Sequence, residues 1–160
     1  MRSMCVSPTP EQLVEMSMTL AAEAAKRGDP PFGALLVSAH GEVVAVASNR
    51  QVSGDDPTAH AEIELLRAAA RAGYRPPLRG ATVVVNAEPC SMCASALVKA
   101  EIGELIYGAP HEPHMDPALG VAEVFARSRR PPRVNAGPLA GEAASQISDS
   151  RTASRGRPAD

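Results

Sequence analysis

The stretch A-T-V-V-V-N-A-E-P-C-S-M-C, residues 81–93, decides how this chain folds, together with T-A-H-A-E at residues 58–62. Ala81 to Val85 is a continuous, β-branched apolar run, the pattern of a strand buried on both faces. It points straight at two thiols three residues apart, Cys90 and Cys93, at the start of an expected helix. Pro89 suits the first turn of that helix, where a missing N–H costs nothing. At i and i+3 the cysteines share a face near the positive helix end, which favours the thiolate.

His60, Cys90 and Cys93 are three ligands of the kinds that zinc prefers. Three protein ligands leave one tetrahedral position open, as in a catalytic site, and the expectation is one Zn²⁺ per chain. Two thiolates cancel the charge of the ion. Glu62, two residues beyond His60, is then free to take a proton from water and hand it on. A C-x-x-C pair taken alone reads as structural zinc or a redox pair. A closed structural site needs a fourth ligand, for which Cys5, His111 and His114 are the soft candidates.

Length and composition set the frame. The 160 residues fit one domain, and 44% hydrophobic residues are ample for a core. With two Phe, two Tyr and no Trp, packing rests on Ala, Val, Leu, Ile and Met. A net charge of −2 gives no global pull towards nucleic acid. No stretch approaches about eighteen apolar residues, and the start lacks a signal-peptide pattern, so no membrane partner is expected and the localisation is cytoplasmic.

Residues 1–8 read as a loose leader, 9–147 as a single domain and 148–160 as a disordered tail without periodicity. Thr9-Pro10-Glu11-Gln12 is a capping box, Leu13, Met16, Leu20 and Ala24 keep helical spacing, and Gly28 ends the helix. Phe32 to Val37 and Val43 to Ala47 form a β-hairpin. A loop, Ser48 to Pro57, leads to a helix of about four turns carrying His60 and Glu62, with Ile63, Leu66 and Ala70 on its buried face. The helix after Cys90 runs to about Ala100, and Leu105 to Tyr107 is the next strand, which implies a parallel crossover. Asp116-Pro117 is an N-cap and first-turn pair ahead of Val121, Val124 and Phe125. Arg133 to Asn135 is a short edge strand, and Leu139 to Ile147 a final weak helix.

Residues 32–109 closely resemble the cytidine deaminase-like superfamily, in particular the branch with bacterial guanine deaminases and tRNA adenosine deaminases. P-F-G-A (31–34), D-P-T-A-H-A-E (56–62) and E-P-C-S-M-C (88–93) carry the resemblance, with Asn49 between them. These contain the zinc deaminase signature H-x-E…P-C-x-x-C in full. The resemblance implies an α/β fold, a three-layer α/β/α sandwich with a mixed five-stranded sheet, a homodimer, and hydrolytic removal of an amino group from a heterocyclic base. It implies that His60, Cys90 and Cys93 hold zinc and that Glu62 shuttles protons. The Asn49 amide and the Ala61 backbone N–H would meet the substrate, and Phe32 and Gly33 would shape the wall under the base.

The loop after the strand at Leu105 to Tyr107 is where relatives place substrate-contacting groups, so His111 is a candidate pocket residue. Gly108 to His111 reads G-A-P-H where tRNA adenosine deaminases usually have G-A-R-D, which counts against the tRNA reading. The bland alternative for His111 and His114 is a solvated loop. Asp116 is either an N-cap, the preferred reading, or a polar pocket group. Arg127, Arg129, Arg130 and Arg133 read as a solvated helix end that could also touch phosphates. P-F-G-A, the net charge and the lack of aromatic residues after Leu139 favour a free purine base or related small amino-heterocycle, guanine-deaminase-like. The alternative is tRNA adenosine-to-inosine deamination. Cytosine or a nucleoside, pterins and triazines follow, and then a zinc-bearing binding protein without turnover, against which the intact Glu62 argues.

Overall fold

The computed structural model describes residues 7–112 and 114–155. The expected leader lies almost wholly outside them, as does Cys5. Ten elements follow in chain order: α1 (Pro10–Arg27), β1 (Gly33–Val37), β2 (Val43–Ser48), α2 (Ala61–Arg71), β3 (Thr82–Ala87), α3 (Ser91–Lys99), β4 (Glu104–Ala109), α4 (Val121–Phe125), β5 (Arg133–Ala136) and α5 (Ala140–Arg155). Their sheet has the order β2-β1-β3-β4-β5. β1 is antiparallel to both β2 and β3, whereas β3, β4 and β5 run parallel. This is the mixed five-stranded sheet of a three-layer α/β/α sandwich.

Period-two alternation divides the sheet between its two helical layers. Leu35, Val37, Val84 and Ile106 face α1, where they meet Leu13 and Val14. Ala34, Leu36, Val83, Val85 and Leu105 face the other way and pack against Leu65 of α2, Leu97 of α3 and Phe125 of α4. Both metal-ligand helices therefore share one layer, and α1 and α5 form the other.

α1 begins and ends as its sequence dictates. Thr9 and Gln12 close a reciprocal capping box, and Gly28 takes the left-handed conformation (φ 91°) that glycine reaches without strain. Asn86, fully buried in β3, accepts from the Gly33 N–H (2.9 Å) and donates to the Pro31 carbonyl (3.0 Å). These two bonds tie the central strand to the start of β1 and satisfy a carboxamide that burial removes from water.

Four expectations are corrected. The buried face of α2 is Ala61, Glu62, Leu65 and Ala69, one stripe over from Ile63, Leu66 and Ala70. Apolar residues occupy both stripes, so spacing alone does not choose between them. Pro89 precedes the N-cap of α3, which is Cys90 itself. Asp116 caps nothing: α4 starts at Val121, and the Glu88 carboxylate accepts its first N–H (3.0 Å). The chain from Ser148, expected to be disordered, is helical to Arg155. Ala143, Ile147, Arg151 and Arg155 recur every four residues, and that stripe continues the helix past its last apolar member.

Candidate active site

β3 delivers the chain to Cys90, the N-cap of α3, so Cys93 falls one turn in; the loop after β2 delivers it to His60, the N-cap of α2. Two helix N-termini thus converge on one point, and their unpaired N–H groups favour negative charge there. The donor atoms of His60, Cys90 and Cys93 all lie within 4.8 Å of one another. A tetrahedral ion at zinc–ligand distances sets sulfur and nitrogen donors about 3.5–3.6 Å apart. Cys90 Sγ lies 3.6 Å from His60 Nδ1. The residues fit zinc.

The electrostatics distinguish the two thiols. The Cys93 thiol donates to Cys90 and, with His60 beside it, holds the Cys90 thiol down at about 4. Cys93 keeps the shared proton and is pushed up. Its bond with Cys90 raises His60. Burial pushes the Glu62 carboxyl, 5% exposed, above the usual carboxylate range. A carboxyl raised in this way is closer to the operating pH at which a proton shuttle is most effective.

A cleft of about 1060 Å³ opens over these groups. His60, Glu62, Cys90, Asn49, Ala61 and Phe32 all line it. His111 and Asp116 line it too. The His111 Nε2 is buried without a hydrogen-bond partner among the described residues, while its backbone N–H donates to Glu88 (2.9 Å). Gly33 is the exception. A Cβ there would lie 2.3 Å from the Ser17 carbonyl oxygen, so Gly33 admits the close approach of α1 to β1 and forms no cleft wall.

The sequence missed several contributors. Gln51 lines the cleft and holds Asn49. Glu88 accepts from both His111 and Val121, which pins the loop between β4 and α4 to the end of β3. Arg151 and Arg155 of α5 lie exposed along the cleft; Arg151 pairs with Glu112 and sits 5.8 Å from the Phe32 ring centroid. By contrast, Arg133 pairs with Glu104 and Arg130 with Glu101, at the opposite end of β4 from the cleft-lining Ala109. The four-residue stripe is a signal for Arg151; none exists for Glu88 or Gln51.

Fold and site together define a zinc-dependent hydrolase that cleaves C–N bonds of nucleobases or nucleosides. Residues 7–109 match the family described as the cytidine and deoxycytidylate deaminase zinc-binding region. The chain belongs to that family.

Over 110 residues the chain is 41% identical to a tRNA-specific adenosine deaminase of Agrobacterium fabrum, covering 69% of this chain and 68% of that protein. It is 40% identical over 129 residues to a tRNA(Ile)-lysidine synthase of Deinococcus radiodurans, covering 80% of this chain but only 22% of that protein. Among solved structures, a tRNA:A34 deaminase studied for A-to-I editing at the wobble position is 36% identical, with a TM-score of 0.72 over 84% of this chain and 97% of its own. A guanine deaminase from Nitrosomonas europaea superposes with a TM-score of 0.80 over 92% of this chain and 87% of its own. Its 23% identity carries a likeness of fold alone. No helix among the described residues is long and apolar enough to cross a membrane.

Proposed function

We propose that this chain hydrolytically deaminates adenosine in transfer RNA, releasing ammonia. Sequence reasoning ranks a free purine base first, and the similarity to tRNA-specific adenosine deaminases reverses that order. The observation that carries the reading is the shape and charge of the cleft. At about 1060 Å³ it slightly exceeds the range of small-molecule pockets, about 300–1,000 Å³. Its outer part carries two exposed arginines, Arg151 and Arg155. A lone base would use only the buried end; a nucleotide within a strand would also bring phosphate to the arginines. Glu112, the partner of Arg151, lines the same cleft, so a phosphate there would compete with it for that arginine.

When bound, the metal supplies Lewis-acid activation of water near neutral pH. His60, Cys90 and Cys93 would hold it. Glu62 accepts a proton from the attacking water and passes it to the ring nitrogen beside the amino-bearing carbon as the C–O bond forms. It then carries the second proton, from the added hydroxyl, to the amine; the C–N bond breaks as C=O forms, and ammonia leaves. Asn49 and the Ala61 N–H hydrogen-bond the base, and Phe32 stacks beneath it. The unpartnered His111 Nε2 offers a further contact, and Asp116 a second polar group. A homodimer belongs to the same reading, although α3 lends it little: Ala94 and Leu97 are spent on the core and Val98 packs beside them.

The runner-up, a free purine, is favoured by the P-F-G-A motif and by the enclosed end of the cleft around Glu62. The deciding experiment measures ammonia release by the zinc-loaded protein from a tRNA anticodon stem-loop, adenosine, adenine and guanine at two salt concentrations. Salt-sensitive turnover of the stem-loop is expected, because neutralised phosphates release counterions. Turnover of guanine with none of the stem-loop would overturn the proposal.

A further inference from the structure

Asn49 is 1% exposed, yet both side-chain hydrogen bonds that it makes among the described residues go to one partner, Gln51. Its Oδ1 accepts from the Gln51 backbone N–H (2.9 Å), and its Nδ2 donates to Gln51 Oε1 (2.7 Å). The Gln51 Nε2 in turn donates to the Pro57 carbonyl (3.3 Å). Both ends of this chain of amides are backbone groups whose polarity is fixed. A backbone N–H can only donate and a carbonyl can only accept, so neither carboxamide can be turned over without setting like against like.

A carboxamide has two N–H donors and two acceptor lone pairs on oxygen. With one of each engaged by Gln51, Asn49 keeps one N–H and one lone pair for the cleft that it lines. We propose that Gln51 is a positioning residue that fixes the polarity of the Asn49 carboxamide and so sets which edge of the base can be bound. The proposal rests on the reading of Asn49 as a base contact.

The loop itself does not depend on the Gln51 side chain. Arg27 donates to the Asn49 carbonyl (2.9 Å), and buried Asp29 accepts from the N–H groups of Val52 (3.0 Å) and Ser53 (2.8 Å). The Asn49 N–H donates to the Phe32 carbonyl (2.9 Å). Removing the Gln51 carboxamide therefore releases Asn49 Nδ2, while the backbone N–H of residue 51 still holds Oδ1 and the loop stays in place.

The test compares zinc-loaded wild type, Gln51→Leu and Gln51→Glu. The chain has three asparagines, Asn49, Asn86 and Asn135, so ¹⁵N-asparagine labelling gives three side-chain amide signals. The Asn49 signal is assigned by its loss in Asn49→Ser. In Gln51→Leu, the Asn49 side-chain protons should exchange with solvent about ten-fold faster, and KM should rise about ten-fold with kcat held within about three-fold. Gln51→Glu keeps an acceptor for Asn49 Nδ2 but sets an oxygen against the exposed Pro57 carbonyl, so it should restore both quantities in part, to within about five-fold of wild type. KM is measured on the anticodon stem-loop and, in parallel, on adenosine and guanine.

Unchanged exchange in Gln51→Leu overturns the proposal. So does faster exchange with an unchanged KM, which would show that the orientation of Asn49 does not matter to binding. Gln51→Glu as impaired as Gln51→Leu also overturns it. Turnover of guanine but not of the stem-loop sinks the tRNA reading alone, and the Gln51 variants are then judged on guanine.

Discussion

Gly33→Ala probes the seam between α1 and β1 most directly. The added Cβ would lie 2.3 Å from the Ser17 carbonyl oxygen, 2.6 Å from Leu20 Cβ and 2.7 Å from the Ala21 nitrogen. Two of these are backbone atoms of α1, so no side chain can swing aside. Restoring an ordinary contact of at least 3.4 Å requires α1 and β1 to separate by about 1 Å. A gap of that size forfeits about a quarter to a half of each dispersion contact along the seam. Leu13 and Val14 would draw back from Leu35, Val37 and Val84. Overpacking of this kind costs about 1–3 kcal/mol, against less than about 1 kcal/mol recovered from the stiffer unfolded chain. A net loss of about 1–2 kcal/mol should lower Tm by about 2–8 °C. Denaturant titration should show a lower midpoint at unchanged m-value. Gly141→Ala, at a helical glycine with nothing within 4 Å of its added Cβ, is the matched control and should be neutral or slightly stabilising. If Gly33→Ala stays within about 0.5 kcal/mol of wild type, the close approach is not tight and the steric reasoning fails. A raised KM without lost stability would return Gly33 to the wall of the cleft.

Glu62→Gln should fold and hold zinc, with kcat reduced at least about 10²-fold; activity within a few-fold of wild type would assign the proton to another group. Cys93→Ala should bind less than one zinc per chain by elemental analysis and melt earlier, since metal binding and folding are coupled. Asp29 is pushed up by burial, but bonds from Ser53, Arg27 and Val52 outweigh that and leave it below the ordinary carboxylate range. A group lowered on folding stabilises above its unfolded value near about 3.9, and the contribution fades as pH falls towards the folded value. Asp29→Asn should therefore cost about 1–3 kcal/mol at neutral pH and flatten the dependence of stability on pH in the acid range; a slope identical to wild type would contradict this.

Much of the fold is legible in the sequence alone. The capping box at Thr9, the apolar run after Ala81 and the spacing of His60, Glu62, Cys90 and Cys93 are local signals, and each element they imply is present. What escapes is long-range. Asn86 sits in a strand that reads as purely apolar, and only the pairing of β1 with β3 explains its burial. Glu88 lies inside the most informative motif, yet its partners are His111 and Val121, which no spacing rule connects to it. The similarity to tRNA-specific adenosine deaminases favours the alternative over the first-ranked free purine, and a net charge, summed over the whole chain, does not register where individual arginines stand. The arginines near 130 pair with Glu101 and Glu104 far from the cleft, whereas Arg151 and Arg155 stand in a segment too poor in apolar residues to announce itself as a helix.

That segment has a further consequence, in the energetics of local opening. α5 buries only Ala143 and Ile147, and every residue from Arg151 to Arg155 is exposed. Its last turns are held to the body of the protein by the pair with Glu112 and the contact of Arg151 with Phe32. Amides held this way exchange with solvent through small local excursions, at free energies far below global unfolding, whereas those of β3 and β4 open only with the whole sheet. An occupant bridging the cleft to Arg151 would slow exchange in the last turns of α5 and leave the sheet unchanged. This exposed wall of the cleft is thus also a built-in reporter of whether the cleft is filled.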